Sequence, residues 1–513
     1  MTPPNTATSS PWSLDNSARA AAPLAGNTRY DVCVIGGGIA GLTAAYLLAS
    51  EGKSVVVLDG KPKVASGETE FTTAHLAWVL DDRFSRVASI RGDEAAQLAA
   101  ESHRSAIDLI EEIARREKIA CDFKRLDGYL FPGADGPEAL RDEMVAVTRL
   151  GLMFERVDRV PFPAGGTGPA MRFPGNAQFH PLKYLADLAG LIRKKGGVIH
   201  TETRVVSVES GSPCVAHTAA GNTVTADALV VATGAPFDSG VTMHLKVAAY
   251  LTYAVALEVP AGYVPPALYW DTEDPYHYVR TAPAGGSPSQ DGKELLIVGG
   301  EDHKTGQAQD QHERWAKLEA WTRERFPEAG KLRHKWSGEV FETPDGLGLI
   351  GLAPGRRSNV YVITGDSGMG MTHGTLGARL VADLILGRTN PYAGLYSPSR
   401  WAPGAVKTLL EENVNLAAQY GDWLTGGEVK SADEIPPGQG ALVRRGLTKL
   451  AVYRDDKGTV HEMSAACPHL GAVVQWNPGE KTWDCPCHGS RFTCTGEVQH
   501  GPAASNLKPV EPG

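Results

Sequence analysis

The chain has 513 residues, of which 42% are hydrophobic and 21% are charged, as expected for a globular protein with ample core. Its net charge of −9 at pH 7 argues against attraction to nucleic acid or to an anionic membrane, so we expect partners of neither kind. No stretch approaches the ~18 apolar residues of a transmembrane helix. Residues 1–28 lack a secretion signal and predict a mobile or surface-draped leader, so we expect a cytoplasmic protein.

Hydrophobic periodicity predicts strands that alternate with helices at the start of the chain. DVCVIG, from Asp31, is a buried strand, LTAAYLLASEG is a helix, and SVVVLD is the next strand. Further helices are predicted at about 93–118 and at 180–197. Residues 245–300 are rich in strand-forming and aromatic residues, whereas short strands and turns fill 431–513.

A glycine motif lies directly after the first strand, where the helix begins. Gly36, Gly38 and Gly41 form G-x-G-x-x-G, which lets the backbone approach a pyrophosphate at the helix N-terminus. Asp59 ends the second strand, where a carboxylate accepts hydrogen bonds from ribose hydroxyls. The motif therefore predicts nucleotide binding, with a tight turn that packs a helix on a sheet as the alternative. It does not distinguish NAD from FAD.

Four further stretches carry a family resemblance: HPLKYLADLAGLIRKKGGVIHTETRV, VVATGA, WSGEVFETPDGLGLIG and TGDSGMGMTHGTLGARLVADLI. With them, residues 30–388 resemble the FAD-dependent D-amino-acid oxidase, glycine oxidase and sarcosine oxidase family. The resemblance implies FAD, with the backbone N–H groups of Met371 and Thr372 at the flavin N1/C2=O edge. The implied FAD-binding residues are Gly36, Gly38, Ile39, Ala40, Gly41, Asp59, Val205, Thr233, Gly234, Gly365, Asp366, Gly370, Met371 and Thr372.

Four of the seven cysteines lie close together near the C-terminal end. An odd cysteine count without a secretion signal is a poor basis for disulfides and indicates metal or redox chemistry. The pattern C-x-H followed by C-x-x-H offers two thiolates and two imidazoles, the ligand set of a Rieske [2Fe-2S] centre. A tetrahedral zinc ion is the alternative. The predicted ligands are Cys467, His469, Cys485 and His488.

The segments HLG, CHGSRF and GPA extend the match to Rieske proteins beyond the ligands and favour the cluster. In Rieske proteins of respiratory complexes, a further cysteine after HLG pairs with the cysteine between the second pair of ligands. This chain has Ala472 there, so Cys487 lacks that partner. The domain therefore resembles the ferredoxin or oxygenase type.

The family resemblance also implies which residues face the flavin. PYHYVR resembles the strand that lines the substrate cavity, LLIVGGEDHKTGQ resembles its hairpin mate, and a histidine follows the second strand near the isoalloxazine. Each such residue is, taken alone, more often an ordinary strand-face residue. Covalent FAD attachment in the histidine loop stays open, although Thr72 matches the attachment position better. The candidate catalytic residues are His277, Tyr278, Arg280, His303 and His75.

Two departures from the family bear on the substrate. Val340 stands where amino-acid-oxidising members hold the substrate carboxylate with an arginine, so a simple α-amino acid is not expected. Gly299 or Gly300 stands where sarcosine oxidases place a lysine that promotes reaction with oxygen. We therefore expect the Rieske centre to replace oxygen as the electron acceptor.

We predict an α/β fold in which a Rossmann-like FAD-binding domain is interleaved with a mixed-sheet α+β substrate domain and followed by a small all-β Rieske domain. The predicted function is an FAD-dependent dehydrogenase that oxidises a small amine-like substrate at a C–N bond and passes electrons through the cluster to an external one-electron carrier. The alternatives are a ferredoxin-fed flavin reductase and a non-catalytic redox sensor. The predicted boundaries are 1–28 for the leader, 29–78, 179–235 and 336–388 for the FAD-binding domain, 79–178 and 236–335 for the substrate domain, 389–430 for a connector, and 431–513 for the Rieske domain.

Overall fold

The computed structural model of the chain describes residues 9–12, 19–163, 168–235, 237, 241–283, 292–355 and 358–510. The first part of the chain contains β1 (Thr28–Ile35), α1 (Ile39–Ser50), β2 (Val55–Leu58), α2 (Glu68–Phe71), β3 (His75–Leu76), α3 (Phe84–Arg91), α4 (Asp93–Arg116), β4 (Lys124–Phe131), α5 (Arg141–Arg149), β5 (Glu155–Val157), β6 (Ala170–Gln178), α6 (Pro181–Lys194), β7 (Val198–His200), β8 (Val205–Glu209), β9 (Cys214–Thr218) and β10 (Thr223–Gly234).

The middle of the chain contains α7 (Val241–His244), β11 (Ala248–Pro260), β12 (Leu268–Asp271), β13 (His277–Pro283), β14 (Lys293–Lys304), α8 (Gln311–Arg325), β15 (Leu332–Glu342), β16 (Leu349–Leu352), β17 (Val360–Thr364) and α9 (Gly370–Ile385). The last part contains α10 (Ala393–Tyr396), α11 (Val406–Gln419), β18 (Gln439–Arg445), β19 (Thr448–Arg454), β20 (Val460–Ser464), β21 (Gln475–Asn477), β22 (Thr482–Asp484), β23 (Arg491–Thr493) and β24 (Val498–His500).

The first sheet has the order β16-β17-β10-β1-β2-β7, and its central strands are parallel. β1 and β2 are nearly continuous apolar runs because helices or loops cover both faces of such a sheet. α1 is buried almost all round, between α6 and α9. The carboxyl ends of β1 and β2 therefore carry the glycine motif and Asp59 at the same edge of the sheet.

The second sheet has the order β15-β11-β14-β13-β12-β4-β6-β3, in which β12 and β4 are parallel and the other neighbours are antiparallel. The predicted domain boundaries divide β15, which pairs with β11 along its full length, so residues 336–342 belong to this sheet. β3 also pairs into it, although the boundaries assign residues 75–76 to the first domain. The strongly amphipathic helix α4 buries its apolar face in the core beside it.

The C-terminal region contains a three-stranded sheet, β18-β19-β20, and a four-stranded sheet, β21-β22-β23-β24. Its own core includes Trp476, Trp483 and Phe492. The all-β character predicted for this region is confirmed.

The predicted leader lies partly outside the described residues, and its described part packs closely on the body. Trp12 is buried and donates from Nε1 to the carbonyl oxygen of Thr72 at 2.6 Å. Arg19 is also buried and donates to the carbonyl oxygen of Val64. These contacts bring the described leader residues against the loop before β3. In the part of the chain that the structure describes, no helix has the length and apolar character to cross a membrane.

Candidate functional site

The turn between β1 and α1 has room for backbone only. Gly36 has a φ of +104°, and a Cβ there would collide with the carbonyl oxygen of Ala232. A Cβ at Gly41 would collide with the carbonyl oxygen of Gly36. Asp59 is buried beside this turn and accepts hydrogen bonds from the N–H groups of Gly37 at 2.9 Å and Lys61 at 2.8 Å. The arrangement suits a nucleotide whose phosphates meet the glycine turn and whose ribose meets Asp59.

A cavity of about 330 Å³ extends from this turn to the second sheet. Twelve of the predicted FAD-binding residues line it. Gly41 packs against Gly36 behind the turn, and the Thr372 hydroxyl points to His103 Nδ1 at 2.7 Å. The residues that line the cavity are Gly36, Gly38, Ile39, Ala40, Asp59, Val205, Thr233, Gly234, Gly365, Asp366, Gly370 and Met371.

Two of the candidate catalytic residues, His75 and Tyr278, line this cavity. Their rings meet edge to face with centroids 5.5 Å apart. Burial lowers the pKa of His75 to about 3, so its imidazole is neutral at physiological pH. The Tyr278 hydroxyl lies 2.8 Å from the Thr252 hydroxyl. A Cβ at Gly299 would collide with the Tyr278 ring, so a lysine side chain has no space at that position.

The other three candidates do not line the cavity. Arg280 donates to the carbonyl oxygen of Ala74 at 2.6 Å and so holds the loop before His75. His277 is hydrogen-bonded to Asp271 at 2.9 Å and its ring stacks on a tryptophan. His303 lies 2.8 Å from a tyrosine hydroxyl. The structure thus places His277, Arg280 and His303 outside the cavity lining. His277 and His303 each follow or precede a lining residue on their strand and so point to the opposite face of the sheet. Arg280 shares the face of Tyr278, but its guanidinium is bonded to the backbone of the loop before His75.

Sequence reasoning missed an acidic group at the second-sheet end of the cavity, formed by Asp81, Asp302 and Glu342. The Tyr276 hydroxyl donates to Asp81 at 2.8 Å. Burial raises the pKa of Asp81 to about 6, that of Glu342 to about 7 and that of Asp302 to about 8. Glu342 was detectable in principle, because it follows Val340 by two residues on the same strand and thus shares its face.

The C-terminal region supplies one wall of the same cavity through residues 499–501 and 503–504. His500 bonds from Nδ1 to Glu339 at 2.7 Å, and Glu68 lies 3.5 Å away. Although burial opposes protonation, these two carboxylates raise the pKa of His500. Burial likewise raises the pKa of Glu339 to about 7. The cavity lined by the predicted FAD-binding residues and the C-terminal region therefore form one continuous site.

The four predicted cluster ligands come together on two loops. The rings of His469 and His488 are perpendicular with centroids 4.9 Å apart, and the thiols of Cys467 and Cys485 are in hydrogen-bond contact. Backbone N–H groups of residues 487 and 488 bond the Cys485 sulfur. His469 Nδ1 is buried and has no hydrogen-bond partner within the described ranges, which leaves it available as a ligand.

A third histidine, which the sequence analysis did not predict, lies against the two histidines among the predicted cluster ligands. His244, at the end of α7, has its Nε2 3.2 Å from His469 Nε2, and its ring lies 5.5 Å from that of His488. The connector holds the loop that carries His469, since Tyr420 donates to the carbonyl oxygen of Leu470 and Trp423 to that of Gly471. A lone histidine 225 positions from its partner leaves no pattern in the sequence.

Comparison with known protein families identifies both cofactor sites. Residues 31–384 match the DAO family, described as FAD dependent oxidoreductase. The chain belongs to this family. Residues 426–511 match the Rieske [2Fe-2S] domain, so the ligand set that zinc could also satisfy is that of a Rieske cluster. The protein is thus a DAO-family oxidoreductase that binds FAD and a [2Fe-2S] cluster.

Some relatives match nearly the whole chain, and others match only part of it. YhfW of Bacillus subtilis (strain 168), which is named as a Rieske 2Fe-2S iron-sulfur protein, is 30% identical over 508 residues, or 98% of this chain and 97% of that protein. The cytochrome b6-f complex iron-sulfur subunit of Prochlorococcus marinus (strain NATL1A) is 34% identical over 131 residues, or 25% of this chain and 68% of that subunit.

Among solved structures, glycine oxidase from Geobacillus kaustophilus has a TM-score of 0.61 at 21% identity and covers 73% of this chain and 99% of that one. L-proline dehydrogenase from P. horikoshii has a TM-score of 0.58 at 17% identity and covers 73% and 98%. These likenesses establish the fold of the DAO part of the chain.

Proposed function

We propose that this DAO-family protein is an amine dehydrogenase that passes electrons from the flavin through the Rieske cluster to an external one-electron carrier. The observation that carries the proposal is the shared wall between the two cofactor sites. Gly489, which follows the cluster ligand His488, packs so tightly on Glu339 and Ala249 that a Cβ would collide with both. Glu339 in turn lines the flavin cavity and bonds His500.

The proposed reaction is the oxidation of an amine to an imine. A substrate CH–NH group loses two electrons and two protons and becomes an imine, and two equivalents of the external carrier each take up one electron. When bound, FAD accepts electrons in pairs and releases them singly, which a one-electron cluster requires. Water then hydrolyses the imine to a carbonyl compound and an amine.

The residues of the cavity bind and orient the substrate. The neutral imidazole of His75 and the ring of Tyr278 form one side, and the Thr252 hydroxyl fixes the Tyr278 hydroxyl. Arg280 holds the loop before His75 from behind and is a positioning residue. A deprotonated amine needs no strong general base, so orientation is the main contribution of these side chains.

Oxygen is not the acceptor in this proposal, which is supported by Gly299, where a lysine side chain would collide with the Tyr278 ring. The test is anaerobic turnover of the holoprotein with a panel of amines and either ferricyanide or oxidised cytochrome c as the one-electron acceptor. We expect acceptor reduction that needs both the amine and the intact cluster. Turnover that proceeds with oxygen alone and is indifferent to cluster loss would contradict the proposal. Reduction of the flavin by a reduced ferredoxin, with no amine able to bleach it, would favour the reverse direction.

A further inference from the structure

The acidic group, Asp81, Asp302 and Glu342, lies at the end of the cavity where the substrate of the proposed reaction would bind. Glu342 and Val340 share one face of β15, and Val340 also lines the cavity. The position that would carry a carboxylate-binding arginine is thus apolar, and carboxylates surround it.

The described residues that line the cavity include one lysine and one arginine, Lys61 and Arg204, and both lie beside Asp59 at the nucleotide end. The charge of Arg83 opposes the rise in the pKa of Asp81, but Arg83 does not line the cavity. Two other cations near the acidic group are engaged elsewhere. Arg86 pairs with Asp82, and Arg314 pairs with Asp310 at 2.8 Å. The acidic group therefore has no counter-ion within the cavity lining as described.

Asp302 is the least satisfied member of the group. Its Oδ1 is buried and has no hydrogen-bond partner among the residues that the structure describes, while its carboxylate receives one hydrogen bond from Thr252. A buried carboxylate without a cation is costly, and a ligand cation removes that cost. Burial is the main cause of the raised pKa values of all three carboxyl groups, and repulsion by neighbouring acids adds to the rise at Asp302 and Glu342.

Aromatic rings complete this end of the cavity. Trp270, Tyr276 and Tyr278 line it, and the two tyrosine rings lie 5.4 Å apart. The faces of such rings attract organic cations. Carboxylates and aromatic faces together favour an alkylammonium group over a carboxylate or a neutral group.

We infer that the cavity takes a diamine or polyamine that has no carboxylate and that keeps a positive charge away from the nitrogen being oxidised. The reacting nitrogen must be neutral when its C–H bond gives up a hydride, so it cannot be the partner of the acidic group. A second ammonium group therefore pairs with Asp302 and its neighbours. The inference rests on the proposed function, because it assigns the substrate class of the same site.

The test uses the anaerobic holoprotein and two readouts, the perturbation of the flavin absorption spectrum for binding and its bleaching for oxidation. The probes are putrescine and spermidine as polycations, butylamine as a single amine, and glycine and sarcosine as carboxylates. We expect the polycations to bind at least tenfold more tightly than butylamine, and glycine and sarcosine not to compete with them.

Variants of the acidic group test whether polycation binding depends on it. Asp302→Asn keeps the shape of the side chain, and we expect it to weaken polycation binding about tenfold or more and to weaken butylamine binding less than that. Glu342→Gln gives a second measurement should the first variant fold poorly. Asp142→Asn is the matched control, because its carboxylate is 86% exposed on α5 and does not line the cavity.

The outcomes separate the two proposals. If glycine or sarcosine bleaches the flavin and polycations leave its spectrum unchanged, the inference is overturned while amine oxidation stands. If polycations bind through Asp302 but bleach nothing, the ligand class stands and amine oxidation fails. If Asp302→Asn and Glu342→Gln bind polycations as tightly as the unaltered protein, the inference is overturned.

Discussion

His244 and His469 meet edge to edge, with their Nε2 atoms 3.2 Å apart and their ring centroids 4.3 Å apart. The first belongs to a short helix that precedes the second sheet, and the second is a cluster ligand. The imidazole side of the cluster site is therefore turned inward, toward the flavin-binding part of the chain. In the reaction that we propose, electrons from the flavin would meet this side first.

We predict that His244→Ala raises the midpoint potential of the cluster. With iron on Nδ1, His469 carries its hydrogen on Nε2 and donates it to His244, which makes His469 a stronger ligand and favours the oxidised cluster. A hydrogen bond worth about 1 kcal/mol corresponds to a shift of about 40 mV for a one-electron couple. Redox titration followed by EPR measures it at fixed pH. His217→Ala, on the surface strand β9, is the control, and an unchanged potential in His244→Ala would contradict the prediction.

We expect substitution of a cluster ligand to abolish cluster binding and substitution of another cysteine to leave it unchanged. Cys485→Ala removes one of two thiolates from an iron, so we expect loss of the cluster EPR signal and of bound iron, with FAD retained. Cys494→Ser is the matched control, because Cys494 lies outside both ligand loops on the same domain. Iron analysis and flavin absorbance check both. A Cys485→Ala protein that keeps its cluster would remove Cys485 from the ligand set.

We expect Asp59→Ala to weaken FAD binding by about 10- to 100-fold. The variant removes a charged acceptor at the ribose position and leaves the N–H groups of Gly37 and Lys61 without their partner, a loss of roughly 1.5–3 kcal/mol. Equilibrium dialysis of the apoprotein with FAD measures the affinity. Asp227→Ala is the control, since that carboxylate is 60% exposed at the far side of β10. Equal affinities for the two variants would exclude Asp59 from the nucleotide site.

The connector contributes a buried ion pair to the FAD-binding part of the chain. Arg400 contacts Asp345 at 2.6 Å, and both side chains are at most 5% exposed. We expect Arg400→Met to lower the free energy of unfolding by about 3 kcal/mol, because the buried carboxylate of Asp345 then keeps only the longer contact to Arg91 at 3.5 Å. The double variant with Asp345→Asn should recover part of this loss. Denaturant titration of the holoprotein measures both, and a single variant as stable as the unaltered chain would contradict the prediction.

The same pair gives a pH dependence. Although burial opposes it, the guanidinium of Arg400 holds the pKa of Asp345 below its usual value. The stabilisation is therefore fully present above the unfolded-state pKa of about 3.9 and is lost as the pH falls through the lower native pKa. In Arg400→Met, the largest of the interactions that lower the native pKa of Asp345 is lost and Arg91 remains, so the native pKa rises. The melting temperature of the variant should consequently fall less steeply than that of the unaltered protein when the pH is lowered below about 4.

The sequence allowed the cofactor sites to be predicted because their residues are close together along the chain. The glycine turn from Gly36 to Gly41 and the ligand pairs of the cluster are local patterns, since phosphate binding and metal ligation require short, fixed spacings. The role of Asp59 could be predicted because this residue ends the second strand, which lies beside the glycine turn. The structure brings the glycine turn and Asp59 together at one sheet edge and the four predicted cluster ligands together on two loops.

The substrate end of the cavity could not be predicted in the same way. Asp81, Asp302 and Glu342 come from three distant segments, and only the pairing of β11, β14 and β15 brings two of them to one face. The candidates His277 and His303 lie on the predicted strands but point away from the cavity. For His277 the reason is the alternation of side chains along β13, and for His303 the bulge in β14 opposite residues 251–253 also contributes. His244 likewise depends on the docking of two domains.

The measurement that tests the central claim most directly is intramolecular electron transfer in the anaerobic holoprotein. The flavin is reduced within milliseconds by light in the presence of a deazaflavin and a sacrificial donor, and the sample is frozen at increasing times for EPR. Our account predicts that flavin absorbance recovers as the EPR signal of the reduced cluster grows, at a rate independent of protein concentration. A cluster that stays oxidised while the flavin stays reduced, or a rate that rises with protein concentration, would contradict it.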